Sequence, residues 1–242
     1  MEYSLQALPN GKCVVREDVV FSGGSTEVVH PFYLYIWLIR GGGHTIVVDT
    51  GPKDLAAFNR GTAEYIPGGV TQEPDEETVA ALAKAGVLPE DVDHVILTHL
   101  HGDHAHNFYL FENAKLVASR RGIVDGFPRS LPKVLLEPLI PGWPDSLVLT
   151  DDEEVLPGIR CFWVGAHSAC SQGIAVDTAR GRFVLAGDAA YLFANVEENR
   201  AIGWADADDS LAALEKLRAA GDVVLPGHDP LIMQRYPGGV VA

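Results

Sequence analysis

Between Thr98 and Asn107 the chain reads THLHGDHAHN. The spacing H-x-H-x-D-H puts four metal-ligand side chains, His99, His101, Asp103 and His104, within six positions. Four such groups cannot all be satisfied in an apolar interior, so the fold must carry them to a site that uses polar side chains. Just before them, Asp93–Leu97 (DHVIL) is an apolar, β-branched-rich run that reads as a buried strand. The ligands then occupy the loop leaving that strand, and Asp103 and His104 open the next turn. Neutral imidazoles with a carboxylate suit Zn²⁺ and other borderline divalent ions. The motif points to a metal-dependent hydrolase.

One metal takes about three or four protein ligands, so this cluster needs partners further along the chain. Three candidates stand at the ends of probable strands. Cys161–Val164 (CFWV) runs into Gly165, Ala166 and His167. Phe183–Ala186 (FVLA) runs into Gly187 and Asp188. Val223–Leu225 (VVL) runs into Pro226, Gly227, His228 and Asp229. An apolar strand followed by a small residue and a ligand lets a sheet fix the ligand while a loop keeps it reachable. Taken singly, Asp188 reads equally well as a capping residue and the two histidines as turn or surface residues. Three repeats of the pattern behind one H-x-H-x-D-H outweigh those readings.

With THLHGDH, GAHS, AGDAAY and LPGHD in this order, and IVVDTGP at Ile46–Pro52 ahead of them, the chain resembles the metallo-β-lactamase superfamily over nearly its whole length. The resemblance implies an α/β fold, an αβ/βα four-layer sandwich of two mixed β-sheets flanked by helices, with the metals at one edge of the packed sheets. It implies that His99, His101 and His167 hold one ion, that Asp103, His104 and His228 hold a second, and that Asp188 bridges them. The expected cofactors are two divalent metal ions, Zn²⁺ first, with Mn²⁺, Co²⁺ or Fe²⁺ also acceptable to this ligand set.

Two such ions, about 3.5–4 Å apart, lower the pKa of a shared water towards neutrality and polarise a carbonyl. The leaving group must still be protonated. Asp103, beside the nucleophile, either shuttles that proton or serves as a ligand alone. Tyr191 follows Asp188 by three residues in D-A-A-Y and can reach back over the site. With PGHD downstream, this arrangement is similar to the N-acyl homoserine lactone lactonases of the superfamily. That resemblance implies a tyrosine assisting ring opening; a tyrosine packed under a loop is the plainer alternative. Two departures stand out. Gly102 occupies a place where many such enzymes carry a larger apolar residue, which leaves acyl-chain preference open. His167–Gln172 (HSACSQ) follows the family's H-T-x-G-H/S-Q pattern only loosely.

Phe108, Tyr109, Trp143 and Phe193 are candidates for an apolar substrate pocket, although aromatics at such positions are more often core. His106, Asn107 and Asp229 are close enough in sequence to orient ligands through hydrogen bonds. Cys170 is a spare ligand or, more simply, a small core residue. His30, His44 and His94 fall outside the pattern and read as structural or solvated.

No G-x-S-x-G or phosphate-loop motif is present, which argues against a serine hydrolase or a P-loop enzyme. His101 argues against a flavodiiron-type site, and Asp188 against a true β-lactamase. A glyoxalase II-type thioesterase would carry a longer helical segment beyond the last ligand. Hydrolysis of another ester or thioester, or a metal-binding scaffold without turnover, remain the alternatives. The formal net charge of −15 disfavours nucleic acid and anionic membranes as partners. A small-molecule lactone or ester is the expected partner. Three cysteines without motif spacing and no secretory pattern point to a reducing, cytoplasmic setting. With no composition shift or repeat, residues 1–242 read as one hydrolase domain.

Strands are expected at Phe32–Arg40 and Thr45–Asp49 around the turn Gly41–Gly43, at Lys115–Ala118 and at Gly173–Asp177. Helices are expected at Asp75–Ala85 and Asp208–Ala220. The proline-rich segment 122–145 is either a cover over the site or a plain surface connection.

Overall fold

The computed structural model describes residues 2–121 and 147–242. Trp143 and the 122–145 segment therefore lie outside the described residues. Two mixed sheets form the centre. The first has six strands, β1 (Ser4–Arg16), β2 (Val29–Gly41), β3 (His44–Val48), β4 (His94–Ile96), β5 (Lys115–Ser119) and β6 (Val148–Thr150), in that spatial order. Its first three strands pair antiparallel and the rest parallel. The second contains β7 (Asp152–Leu156), β8 (Ile159–Trp163), β9 (Gln172–Thr178), β10 (Gly181–Leu185) and β11 (Val223–Leu225), ordered β11–β10–β9–β8–β7. Only β10 and β11 pair in parallel. Seven α-helices accompany them among the described residues. They are α1 (Glu17–Val20), α2 (Leu55–Thr62), α3 (Thr78–Lys84), α4 (Gly102–Ala105), α5 (Phe193–Glu197), α6 (Ala207–Ala220) and α7 (Leu231–Arg235).

Side-chain alternation assigns each strand two faces. Leu5, Trp37, Ile39, Ile46, Val48 and Ile96 of the first sheet meet Ile159, Cys161, Ile174, Val176 and Leu185 of the second in one buried cluster. The intervening residues Ile36, Leu38, Val47 and Val95 turn outward and pack with Ala81 and Leu82 of α3. On the far side, Phe162, Val184 and Val224 pack with Ala213, Leu214 and Leu217 of α6. Helix, sheet, sheet and helix thus form four layers, the αβ/βα sandwich expected.

Most elements match the sequence reading within a few residues. The turn before β3 has Gly42 and Gly43 at φ of 61° and 81°, a conformation that favours glycine. Helix α6 begins one residue earlier than expected because the Asp206 carboxylate accepts from the amides of Asp208 and Asp209. Helix α3 starts only at Thr78. The acidic residues before it instead close a turn in which the Glu76 amide donates to the Glu73 carbonyl and the Glu73 amide to the Glu76 carboxylate. Strand β1, not among the expected strands, contains Pro-Asn-Gly at 9–11. That tripeptide forms an irregularity in the register with β2, on an edge strand where proline costs no ladder bond.

His94, the first residue of β4, is 7% exposed, and its buried Nδ1 has no hydrogen-bond partner among the described residues. Its ring meets that of His44 edge-on at 5.4 Å. Burial, then the charges of His44 and Lys115, push its pKa below 6.5 despite Asp93. The unfolded chain takes up this proton near pH 6.5 while the folded chain resists it. Stability from this residue is therefore intact above that pH and lost as pH falls below it. His94→Leu should show a flatter fall in urea midpoint between pH 7.5 and 5.5 than the parent chain. Parallel pH dependences would exclude His94 as a source.

Candidate metal centre

The site is assembled from strand ends on both sheets. β4 delivers Thr98 and His99, the residue that caps α4 is His101, and α4 itself supplies Asp103 and His104. β8 leads to His167, β10 to Asp188 and β11 to His228. The ligand atoms of His99, His101, His167 and Asp188 lie within 4.8 Å of one another, as do those of Asp103, His104 and His228. His99 Nε2 is 3.0 Å and His167 Nε2 2.8 Å from His101 Nδ1.

Asp188 stands between the two groups. Its Oδ1 faces His228 Nε2 at 2.8 Å and His104 Nε2 at 3.1 Å. Its Oδ2 faces His167 Nε2 at 3.4 Å and His99 Nε2 at 3.7 Å. One carboxylate thus offers one oxygen to each group, and it is the only residue that joins them in this way among these seven.

The electrostatics favour positive charge around Asp188. Burial works against the charge of Asp188, but the surrounding histidines, His104 foremost, hold its pKa well below the usual range. Burial also opposes a proton on His104, yet Asp188, Asp103 and Asp49 together push its pKa well above 6.5. His228 is raised against burial, chiefly by Asp188. Burial instead keeps His99, His101 and His167 neutral, the last pushed down to about 3 despite Asp188. A neutral imidazole is the form a metal needs. His104 Nε2 is buried without a hydrogen bond, although Asp188 Oδ1 and Asp103 Oδ2 lie at 3.1 and 3.5 Å. Positive charge is called for at that point, and the residues present fit a pair of divalent ions.

Hydrogen bonds behind the ligands fix their orientation. The Tyr33 carbonyl lies 2.9 Å from His228 Nδ1, so that nitrogen carries the proton and Nε2 is left for the site. Asp49 Oδ2 lies 2.8 Å from His104 Nδ1 and accepts from the Thr98 hydroxyl, while Oδ1 accepts from the Thr98 amide. Asp49 holds φ at 60° and Ala166, next to His167, holds 64°. These are two of the three non-glycine residues in the left-handed region among the described residues. Strain gathered beside ligands is consistent with a site imposed on the backbone by its surroundings. Asp49 was not singled out as a site residue, although it ends the strand IVVD in the same manner as the ligands. Asp49→Ala should weaken metal retention about 10- to 100-fold in a competitive chelator titration. Unaltered affinity would mean that Asp49 only holds the loop.

Tyr191 is 3% exposed, and its hydroxyl is 2.9 Å from His167 Nδ1. Burial, then Asp188 and Asp103, raises its pKa well above 10, so the phenol keeps its proton. The amides of Gly227 and His228 donate to the carbonyls of Ala190 and Tyr191 and lock the AAY and PGHD segments together.

The remaining candidates are placed differently. Phe108 is buried in the outer core beneath α3, and Phe193 in the core between the sheets, with the Arg235 guanidinium over its ring at 3.7 Å. Tyr109 is 42% exposed and lies under the Lys53 ammonium at 4.0 Å. Among the described residues, none of these three rings packs against the ring of His99, His101, His104, His167 or His228. Asp229 does not orient His228. Its carboxylate caps the amides of Phe193 and Leu231. Asn107 donates to the Pro52 carbonyl and to Thr78, bracing the loop rather than a ligand. The His106 ring covers Gly102, where a Cβ would fall 2.6 Å from it. Cys170 is buried with its thiol 3.3 Å from the Ser168 hydroxyl, and is a core residue. His30 pairs with Glu17 at 3.1 Å, away from the ligands.

The model of the metallo-beta-lactamase superfamily matches residues 31–228. An N-acyl homoserine lactonase of Bacillus cereus is 26% identical over 234 residues, covering 93% of this chain and 92% of the relative. An N-acyl homoserine lactone hydrolase structure with N-hexanoyl-L-homoserine at its catalytic metal centre superposes with a TM-score of 0.82 at 22% identity, covering 97% of each chain. AidC, described as a dizinc quorum-quenching lactonase, superposes with a TM-score of 0.67 at 16% identity, covering 98% of this chain and 89% of that one.

Proposed function

The chain belongs to the metallo-β-lactamase superfamily, and from that premise we propose that it is a dinuclear metal-dependent hydrolase that opens a lactone ring, with an N-acyl homoserine lactone as the favoured substrate. The observation that carries this reading is the division of the Asp188 carboxylate between two histidine groups. His99, His101 and His167 would hold one ion, Asp103, His104 and His228 the other, and Asp188 both. Zn²⁺ is the first choice for this donor set. Bound there, two such ions would supply a hydroxide at neutral pH and polarise the scissile carbonyl.

The chain's own groups do the rest. With Nε2 engaged, His167 carries its proton on Nδ1 and donates it to the Tyr191 oxygen 2.9 Å away. The phenolic hydrogen is then free to be donated to the carbonyl or to the departing ring oxygen. The Asp103 side chain keeps 17% of its surface exposed, which leaves its carboxylate able to take the proton released on attack and return it to the leaving alkoxide. The phenol stays a donor throughout because its pKa is far above the working range. Three free cysteines favour a reducing, cytoplasmic setting.

A pH-stat assay of protein with known metal content tests the reading. Short- and long-chain acyl homoserine lactones are compared with simple γ- and δ-lactones, open-chain esters and a thioester. Acyl homoserine lactones should be opened fastest. A protein carrying two metals per chain that ignores every lactone and cleaves the thioester would move the function to another pathway.

A further inference from the structure

Among the described residues, three aromatic side chains lie against the ligand histidines. Phe32 stacks on His228 at 5.1 Å and is 4% exposed; Tyr191 meets His167 edge-on and is 3% exposed. Trp204, in the loop before α6, differs. Its ring runs nearly parallel to that of His167, at 14° and 6.4 Å, yet 44% of the residue is open to solvent. Tyr65 stands against it edge-on at 4.4 Å and 69°, which closes one side of the indole. Tyr65 in turn lies close enough to Asp103 that its pKa, raised to about 12 mainly by burial, also feels that carboxylate. The Cys13 thiol, likewise pushed up to about 12 by burial, feels Asp103 too and packs in the same cluster as Tyr65. The corner therefore lies against the ring of His167, and Tyr65 stands within range of the Asp103 charge.

We propose that the Trp204–Tyr65 corner receives the substrate's acyl group and selects a planar, unsaturated or aromatic acyl over a saturated chain. The proposal rests on the lactonase reading for the identity of the ring, and on the corner alone for the identity of the side group. A large aromatic surface left open beside a reaction centre is where an apolar substituent would be covered. The form of the corner sets the preference. A flat group laid on the indole continues the parallel arrangement that begins at His167 and presents its edge to Tyr65, both favoured aromatic geometries. A saturated chain covers the same area without that gain, and loses more rotational freedom when held there.

The test uses the metal-loaded enzyme and N-cinnamoyl- and N-hexanoyl-L-homoserine lactone. The parent chain should prefer the cinnamoyl compound. In Trp204→Ala the ratio of the two kcat/KM values should fall about tenfold, chiefly through KM. Trp204→Phe should restore most of that ratio, since a planar ring is retained. Calorimetric titration with the two ring-opened acyl homoserines gives a readout independent of turnover, with the cinnamoyl compound binding more tightly only when Trp204 is present. If no lactone is opened but this binding difference is seen and is lost in Trp204→Ala, the lactonase reading fails and the acyl corner stands. If Trp204→Ala loses activity and affinity equally for both compounds, the ring merely supports His167 and the proposal is overturned.

Discussion

Asp188→Asn is expected to leave less than one firmly held metal per chain after dialysis and to reduce lactone hydrolysis by roughly 10³-fold or more. The substitution keeps the volume and removes the charge. In the folded protein each carboxylate oxygen faces a different histidine group, at 2.8 and 3.1 Å on one side and 3.4 and 3.7 Å on the other. An amide offers one weak oxygen donor and turns an NH₂ towards the opposite group, where it would repel a cation. The loss should therefore extend to both ions. His104 and His228, whose protonation in the metal-free protein depends most on Asp188 once burial is set against it, would also lose their counter-charge. Metal analysis, with circular dichroism to show that the fold survives, checks this. Two metals and parental turnover in the variant would show that Asp188 is not shared.

Tyr191→Phe separates the chemistry from the metals. Metal content should stay at the parental value, because no ligand atom is removed, while kcat falls about 100-fold. The ring is buried against Phe32 and His167, so phenylalanine keeps the packing and deletes the hydroxyl alone. His167 Nδ1 loses its partner at 2.9 Å but retains Nε2 for the site. The loss should shrink for substrates with a good leaving group, whose departing oxygen needs less help from a proton donor. A variant that opens the true lactone at the parental rate would remove Tyr191 from the reaction.

Much of the site was legible because its residues obey a local rule. Each of Asp93–Leu97, Cys161–Val164, Phe183–Ala186 and Val223–Leu225 is an apolar run that a sheet must bury, and each is followed by a ligand type that an apolar core rejects. The pocket candidates obeyed no such rule. Phe108 and Phe193 are buried because aromatic rings next to a strand or helix end usually complete a core, and nothing in their spacing distinguishes a lining position from a packed one. Trp204 and Tyr65 lie 139 positions apart in the chain and form a corner only through the packing of the loop before α6 on the segment after α2. Asp229 shows the opposite error. Adjacency to His228 suggested a partner, while the backbone turn sends its carboxylate to the amides of Phe193 and Leu231.

The sequence by itself marked the histidine and aspartate candidates and the order of the apolar runs that carry them, because side-chain chemistry and strand periodicity are properties of neighbouring residues, and the layered α/β class followed from the family resemblance those motifs carry. Only the tertiary structure decided that Asp188 divides its oxygens between two histidine groups, that Asp49 and the Tyr33 carbonyl hold His104 and His228 from behind, and that Trp204 is left open beside His167. Those relations join residues from separate strands and loops, and their distances exist only once two sheets have packed and brought the ends of β4, β8, β10 and β11 to one edge.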